Sequence, residues 1–583
     1  MNNTVQRALR VWKQKGVGET VRRAGQHFAR KVDERRYLAR IAPSQEELAR
    51  QRQKEFSARI TFSVAVPLYN TPPDLLQEMI DSVAHQSYPH WELCLADGSD
   101  EAHAYVGAYC LERSSQDPRI RYQKLEKNGG ISENTNVCLR MATGEYIALC
   151  DHDDLLTPDA LYEMRETIEK TGADFLYSDE LIFRHPKKSR VIGIRMKPSF
   201  SPDTLLTNNY ICHLTVFSRD LLSQTGGFRS AFDGSQDHDL VLRLTGKAKR
   251  IAHVAKPLYL WRSVPGSVAL DINSKRYAID AGKNAVRTYL REQKGIEAEV
   301  DSTEVFPTMY RVRYPMEGAP SVRVVIDARG EREAPEAYLW ELRAKAGWEK
   351  CGWTVLQCQG RQNPPTGFSV LEAPEEEPRC SLWNRIGREA EEDYLLFFSG
   401  VPKKATADWL LEMLRLAQQP HAGVIGAKIL FTNGDARHVG VIIGMGPEST
   451  AGRLYFRRDG ELEDAFFGQL AVVEDVSAVT DALLVSREKW QQAGGFDPAY
   501  GNALFEVDLC LRLMEQGYYN MVTPHARLWM GTPGQVRFDV GREEASYPQD
   551  QQVFQQKNAR WLQGRDPFYN ANLSLKHENW RIG

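Results

Sequence analysis

The chain has 583 residues, of which 42% are hydrophobic, 26% charged and 10% aromatic, and its formal net charge is −3. This is the composition of a folded globular protein, which excludes collagen-like, disordered and disulfide-scaffold classes. Cores stop growing near about 250–300 residues, so the length implies two domains and an appendage.

No run approaches the about 18–20 uninterrupted apolar residues of a spanning helix. No apolar signal core with a small-residue cleavage site opens the sequence, so a cytoplasmic protein is expected. Nine cysteines, an odd number without a CxxC pair, mostly sit in apolar runs such as Ile147-Ala148-Leu149-Cys150 and read as buried reduced thiols. The near-neutral charge gives no sign of a nucleic-acid partner.

In chain order, residues 1–40 come first, with 11 Lys/Arg against 3 Asp/Glu. Val5, Leu9 and Trp12, then Val21, Ala24, Phe28 and Val32, recur at three- and four-residue steps, and Gly16 and Gly18 divide them. Two short amphipathic helices within a basic arm over 1–60 fit this pattern. Two readings stay open: contact with an anionic membrane surface at the inner face, where each nearby Lys or Arg contributes about 1 kcal/mol, or a solvated helix packed on the body.

Phe62-Ser63-Val64-Ala65-Val66-Pro67 reads as a buried strand, followed by a helix from Pro73 to about His85 and a strand at Trp91–Ala96. A like βαβ pattern restarts at Ser321–Ile326, with a helix near 335–350 and a strand at Trp353–Leu356. The register points to duplication. Asn136 precedes Asp151 by 15 residues and Asn384 precedes Ser399 by 15, with Glu145-Tyr146 matched by Asp393-Tyr394. Gly226-Gly227-Phe228 precedes Asp239-Leu240, and Gly494-Gly495-Phe496 precedes Asp508-Leu509. The reading is therefore α/β, two tandem modules over 61–300 and 321–583 joined by a linker over 301–320.

Asp151-His152-Asp153-Asp154 directly follows the apolar strand Tyr146–Cys150. Ligands of open α/β sheets bind outside the carboxyl ends of strands, so these carboxylates are expected to face a crevice. Hard oxygens there suit Mg²⁺ or Mn²⁺ and, through the ion, a diphosphate. Helix capping accounts for Asp154 or Asp159 but not for Asp151 and Asp153 together.

Beyond the arm the chain resembles the inverting, GT-A-fold family 2 glycosyltransferases of bacterial surface polysaccharide synthesis. The resemblance is carried by VAVPLYNTPP, Asp97-Gly98-Ser99-Asp100, Asn128-Gly129-Gly130-Ile131, the DHDD block in place of a DXD motif, NNYICHLTVF, GSQDHDLVLRL and YLWRSVPGSVA. It implies two Rossmann-like, mostly parallel modules, with Pro67 and Tyr69 lining the nucleotide pocket and Asp97 accepting from the base of a UDP- or dTDP-sugar. It implies that Asn128, Gly129, Gly130 and Asn136 belong to the nucleotide side, and that Asp151 and Asp153 hold the cation against the diphosphate. Asp237 would be the general base, with Asp239 second to it and better suited to capping. Trp261 and Arg262, beside Gly266 and Ser267, would clamp the diphosphate. Leu260 stands where the family often has histidine, and His213 and His238 read as structural or acceptor-side groups.

In the second half Ser399, Gly400, Val401 and Pro402 replace the acidic block, Trp529-Met530-Gly531 replace the family's terminal histidines, and Glu506 stands for Asp237. That half reads as degenerate: it would hold a lipid-linked glycan acceptor or scaffold a homodimer. The alternatives are metal-free catalysis with Glu506 and Lys403, Lys404 or Arg437, or a noncatalytic glycan-binding protein. Trp409, His438, Tyr455 and Phe456 are candidate sugar-stacking residues. A nucleotidyltransferase would show a glycine-rich phosphate loop after its first strand, and Pro67-Leu68-Tyr69-Asn70 has no glycine.

Overall fold

The computed structural model describes residues 28–184, 187–263, 276–304, 306–330, 336–360, 366–458, 470–576 and 581–583, with Val17, Val21 and Gly25. Val5, Leu9, Trp12, Gly16, Gly18 and Ala24 of the arm, and Gly266 and Ser267, lie outside the described residues.

Continuous apolar runs make strands buried on both faces. Phe62–Leu68 (β1) and Trp91–Asp97 (β2) are buried at every residue. They join Ile120–Lys124 (β3), Tyr146–Leu149 (β4), Leu155–Leu156 (β5), Phe175–Arg184 (β6), Lys187–Arg195 (β7), Thr215–Ser218 (β8) and Ile251–Ser263 (β9). The sheet runs β3-β2-β1-β4-β8-β6-β9-β5, with β7 on β6. The block β3-β2-β1-β4 is parallel, and β8 enters antiparallel to β4 and β6. The strand order reverses at β1, which opens a crevice beyond the carboxyl ends of β1 and β4.

The second sheet repeats this order strand for strand: 369–372, 351–357, 322–327, 394–398, 482–486, 422–430, 519–529 and 404–405. The expected tandem α/β architecture is therefore present in backbone pairing, not only in pattern. Between the sheets, Glu299–Ser302 and Tyr310–Arg313 pair as an antiparallel hairpin, where the sequence suggests a thin linker. Tyr310 and Val312 in it are buried, so it packs as part of the body.

One side-chain clasp recurs in both modules. Asn136 Nδ2 donates to the Phe228 carbonyl and its Oδ1 accepts from Phe228 N, each at 2.9 Å. Asn384 does the same to Phe496, at 2.8 and 2.9 Å. The glycine before each phenylalanine is what lets the amide approach, because a side chain at Gly227 or Gly495 would collide with the asparagine Oδ1. Asp239 receives Arg243 Nε at 3.1 Å and Asp508 receives Arg512 Nε at 2.8 Å, and both arginines then hold carbonyls of the glycine turn.

The modules share one apolar cluster, which runs from Leu240 and Tyr289 through Tyr310 and Tyr314 to Leu410 and Ile425. Polar stitches cross the same boundary. Asp475 Oδ2 accepts from the backbone N of Asp203 and Thr204 at 3.0 and 3.1 Å. Near the carboxyl end, Asn570 Nδ2 reaches back to Asp179 Oδ2 at 2.9 Å and the Lys197 carbonyl at 2.8 Å.

Residues 28–41 are helical. Tyr37 is buried, Leu38 packs against Leu155, Leu181 and Phe183, and Asp33 pairs with Arg581 at 2.9 Å. This part of the arm follows the packed reading, although Phe28 is exposed. All nine cysteines are free thiols.

Asn136→Ala and Asn384→Ala should each strand a backbone N–H and C=O, at about 1–3 kcal/mol per group. Melting temperatures should fall by several degrees in both variants. Unchanged melting in either would show that the clasp carries no stability.

Candidate functional site

A cleft of about 80 Å³ opens at the carboxyl ends of β1 and β4. It gathers Pro67, Ile131, Asp151, His213, Asp237 and Tyr259 from segments far apart in sequence. The helix Ile131–Met141 begins on its border, immediately after Gly130, whose φ of +90° turns the chain into the first turn. The free N–H groups of that turn favour an anion.

The acidic block folds as a turn, with Asp154 N donating to the Asp151 carbonyl at 3.3 Å. A turn brings positions three apart to one side, whereas an extended D-x-D would align positions two apart. The converging ligand atoms are accordingly those of Asp151, Asp154 and His213, all within 4.8 Å of one another. Asp153, expected beside Asp151, is not in this group, whereas His213, which sequence reasoning set aside as structural or acceptor-side, is.

The three groups sit in contrasting surroundings. The Asp151 side chain is 53% exposed and lies 3.7 Å from His213 Nε2. Burial raises its pKa, but the neighbouring His213 holds the carboxyl below its usual value. Asp154 is buried, accepts from Tyr259 Oη at 2.8 Å and from Arg262 N at 2.6 Å, and is pushed well up by burial and then by Asp153 and Asp151. His213 stacks on Tyr259, with ring centroids 4.5 Å apart, and its Nδ1 lies 3.1 Å from Glu180 Oε2. Burial opposes charge on this imidazole, yet Cys212, Asp151 and Glu180 raise its pKa well above the usual value. Two carboxylates crowded together, one of them buried, favour a counter-charge. Their oxygens with one imidazole nitrogen fit Mn²⁺, or Mg²⁺ with fewer protein ligands.

Asp237 lies in the first turn of the helix Gln236–Thr245. Asn209 Nδ2 donates to its Oδ2 at 2.9 Å, and Cys212 Sγ lies 3.7 Å from the same oxygen. Oδ1 accepts no hydrogen bond among the described residues. Asn209 was not singled out from sequence, since a neutral amide in NNYICHLTVF gives no charge signal. Asp239 is occupied by Arg229 and Arg243, a structural role that is not the expected capping, since Ser235 is the N-cap and no side chain caps the helix. His238 is buried, with Nε2 2.8 Å from the Leu205 carbonyl.

The residues expected on the nucleotide side divide. Tyr69 is 47% exposed. Asn128 Oδ1 is occupied by Gly130 N at 3.0 Å and Asn134 Nδ2 at 2.8 Å, and Gly129 N donates to Asn134, so this loop is fixed from within. Asp97 is closed to solvent and accepts from Ser99 N, Tyr122 Oη and Lys124 Nζ, so a base reaches it only by displacing Lys124. Asn136 is spent on the clasp and is not a nucleotide ligand. Trp261 and Arg262 belong to β9, not to a loop. Arg262 is 1% exposed: its backbone N donates to the Asp154 carboxylate, its Nε to the Asp153 carbonyl and its Nη2 to the Glu78 carboxylate. It is a fixed part of the acid turn, not a clamp.

The second module has its own cleft, of about 370 Å³, at the equivalent sheet end. Phe62 pairs with Trp91 and Tyr146, and Val322 pairs with Cys351 and Tyr394, so Asp327, Arg329 and Gln357 stand for Pro67, Tyr69 and Asp97. Tyr146 pairs with Ser218 and Tyr394 with Ser486; counting back five residues sets Asp481 in the place of His213. Asp481 is buried, accepts from Ser399 Oγ at 2.8 Å and Arg437 Nε at 2.7 Å, and is held well below its usual pKa by Arg437 and His438 against the effect of burial. Lys403 lines this cleft, whereas Lys404 lies over the Trp529 ring at 4.4 Å. Trp409, His438, Tyr455 and Phe456 are buried in the core, which removes them as sugar-stacking surfaces.

Comparison with known proteins agrees with this geometry. The family model described as Glycosyl transferase family 2 matches residues 63–224. The y4gI protein of Sinorhizobium fredii is 33% identical over 89% of this chain and 58% of its own length. The O-antigen biosynthesis protein RfbC of Myxococcus xanthus is 29% identical over 92% of this chain and 42% of its own. This chain thus spans about half the length of these curated relatives. EpsE of Bacillus subtilis, which carries a glycosyltransferase name, is 31% identical over 39% of this chain and 80% of its own length. With the crevice, the acid turn and these matches together, the chain belongs to glycosyl transferase family 2.

Proposed function

We propose that the first module is a metal-dependent, inverting glycosyltransferase that moves a sugar from a UDP- or dTDP-sugar to a hydroxyl of a lipid-linked bacterial surface glycan. The observation that carries this reading is the convergence of Asp151, His213 and Asp237 in one cleft at the carboxyl ends of β1 and β4. The name of the Myxococcus relative supports a surface-glycan acceptor.

Asp151, Asp154 and His213 would hold Mn²⁺ or Mg²⁺, which supplies neutralising charge to a departing diphosphate. The first turn of the helix Ile131–Met141 borders the phosphates and adds its N–H dipoles. Asn209 fixes Oδ2 of Asp237, and the carboxylate takes the proton of the acceptor hydroxyl. The acceptor oxygen bonds to the anomeric carbon from the face opposite the nucleotide as the bond to the diphosphate breaks, which inverts the configuration. The second module, without an acidic turn, holds the acceptor or scaffolds the assembly. The basic residues of 1–27, ahead of the packed helix, contact anionic lipid at the inner membrane face. Among the described residues no helix is long and apolar enough to cross a membrane.

Asp237→Asn should lower transfer by about 10²–10⁴-fold while donor binding, read by calorimetry, persists. Transfer at the wild-type rate would take Asp237 out of the mechanism. Asp151→Asn should remove the dependence of UDP binding on Mn²⁺; if UDP still binds the variant more tightly with Mn²⁺ than without, the cation is held elsewhere. Deleting residues 1–27 should weaken co-sedimentation with phosphatidylglycerol vesicles, and full co-sedimentation of the shortened chain would end the membrane reading of the arm.

A further inference from the structure

Glu506 opens the helix Phe505–Glu515 in the second module, at the position Asp237 holds in the first. It is 3% exposed, lines the large second cleft, and its Oε2 has no hydrogen-bond partner. Arg453 lines the same cleft and is 2% exposed, and its Nε makes no hydrogen bond, with the Asp481 carboxylate 4.0 Å away. Buried polar atoms without partners are rare and unfavourable. Here one is an acceptor and the other a donor, the two roles that saccharide hydroxyls fulfil.

The charge of the cleft narrows the ligand further. Six acidic and five basic side chains line it among the described residues, so no large excess of either sign attracts an anionic diphosphate or a free cation. The half that would receive a nucleotide is closed by side chains of the chain itself. Asp327 accepts from Arg329 Nη2 at 2.9 Å and Arg379 Nε at 3.0 Å, and Arg329 Nη1 spans to the carbonyls of Pro374 and Glu377. Arg379 also occupies the first turn of the helix Arg379–Glu389, where the first module leaves N–H groups open. No acidic pair takes the place of Asp151 and Asp154, since Ser399 and Pro402 stand there, and Asp481, at the place of His213, is neutralised by Arg437.

We propose that the second-module cleft binds an uncharged, hydroxyl-rich saccharide without a metal ion, with Glu506 as the central acceptor of its hydroxyl protons. This locates the acceptor-holding role proposed above for the module, and it rests on that reading. Arg437 is committed to Asp481 and Lys404 lies over the Trp529 ring, so of the three expected cationic substitutes Lys403 alone lines the cleft without an acidic partner among the described residues. Burial pushes Glu506 up to about 7, with Arg379 opposing, in keeping with a carboxyl that lacks its ligand.

The test uses the full chain with UDP and Mg²⁺ present to occupy the first module, and reads saturation-transfer NMR with the methyl glycosides of D-glucose, L-rhamnose and N-acetyl-D-glucosamine. At least one glycoside should receive saturation from the wild-type chain and bind about tenfold more weakly to Glu506→Gln. Equal binding to both proteins overturns this site and leaves the acceptor-holding role to another surface. No transfer from the wild-type chain overturns both.

Melting provides the folding control. The unfolded chain carries a glutamate of pKa about 4.3, so between that value and the raised one it binds fewer protons than the folded chain. Wild-type stability falls as pH rises through that window, and Glu506→Gln should melt higher relative to wild type at pH 8 than at pH 5. Should Glu506→Gln melt lower at both pH values, Lys403→Ala decides instead. Its ammonium has no acidic partner among the described residues, and the substitution should weaken the glycoside about threefold with melting unchanged. Unweakened binding to that variant then overturns the proposal.

Discussion

A carboxylate at the end of a buried parallel strand needs a positive partner, and the two sheets answer this requirement differently. In the first, Asp151 lies beside an imidazole that is itself shared with Glu180, and the buried Asp154 is met by the Tyr259 hydroxyl and a backbone N–H. The local charge is left incomplete and oriented toward the crevice. In the second, the acids of the turn are gone and the single carboxylate from the opposing strand, Asp481, is saturated by Arg437 and Ser399. The same backbone frame thus leaves one site with a deficit of positive charge and completes the other with the protein's own cations.

What keeps the frame constant is inexpensive in sequence. An asparagine on one helix reads the backbone of a phenylalanine after a double glycine, and an aspartate–arginine pair on the next helix secures the same turn. Four residue types in a fixed order therefore place the helix that carries Asp237 or Glu506 against its sheet. The side chains facing the crevice are free to diverge because none of them holds the helix in place.

The fold was legible because its signals are local and redundant. The runs Phe62–Pro67 and Val322–Ile326 could only be buried strands, and the gapless register between the halves fixed their equivalence before any pairing was known. The site was less legible. DHDD suggested the right strand end, but alternation is a property of extended chain, and the turn closed by Asp154 N exchanged Asp153 for Asp154 as the neighbour of Asp151. His213 joined them through a strand pairing that no spacing in the sequence encodes. Asn136 and Arg262 illustrate a third case. Both sit in motif positions, yet their side chains are engaged by backbone and carboxylate partners, which only the packed structure displays.

The tail that returns from the second sheet to the first has a further consequence. Asn570 grips Asp179 and the Lys197 carbonyl. Asp179 also receives Lys197 N at 2.8 Å, and the Lys197 ammonium lies 3.5 Å from Glu180, the partner of His213. A residue near the far terminus is thereby coupled, through three intermediaries, to the imidazole of the early crevice. Severing the polypeptide at the joint would not yield a self-sufficient front half, since that fragment would be missing a strut beneath the His213 wall of its own crevice. The duplication has become an interdependence, in which the later copy completes the earlier one.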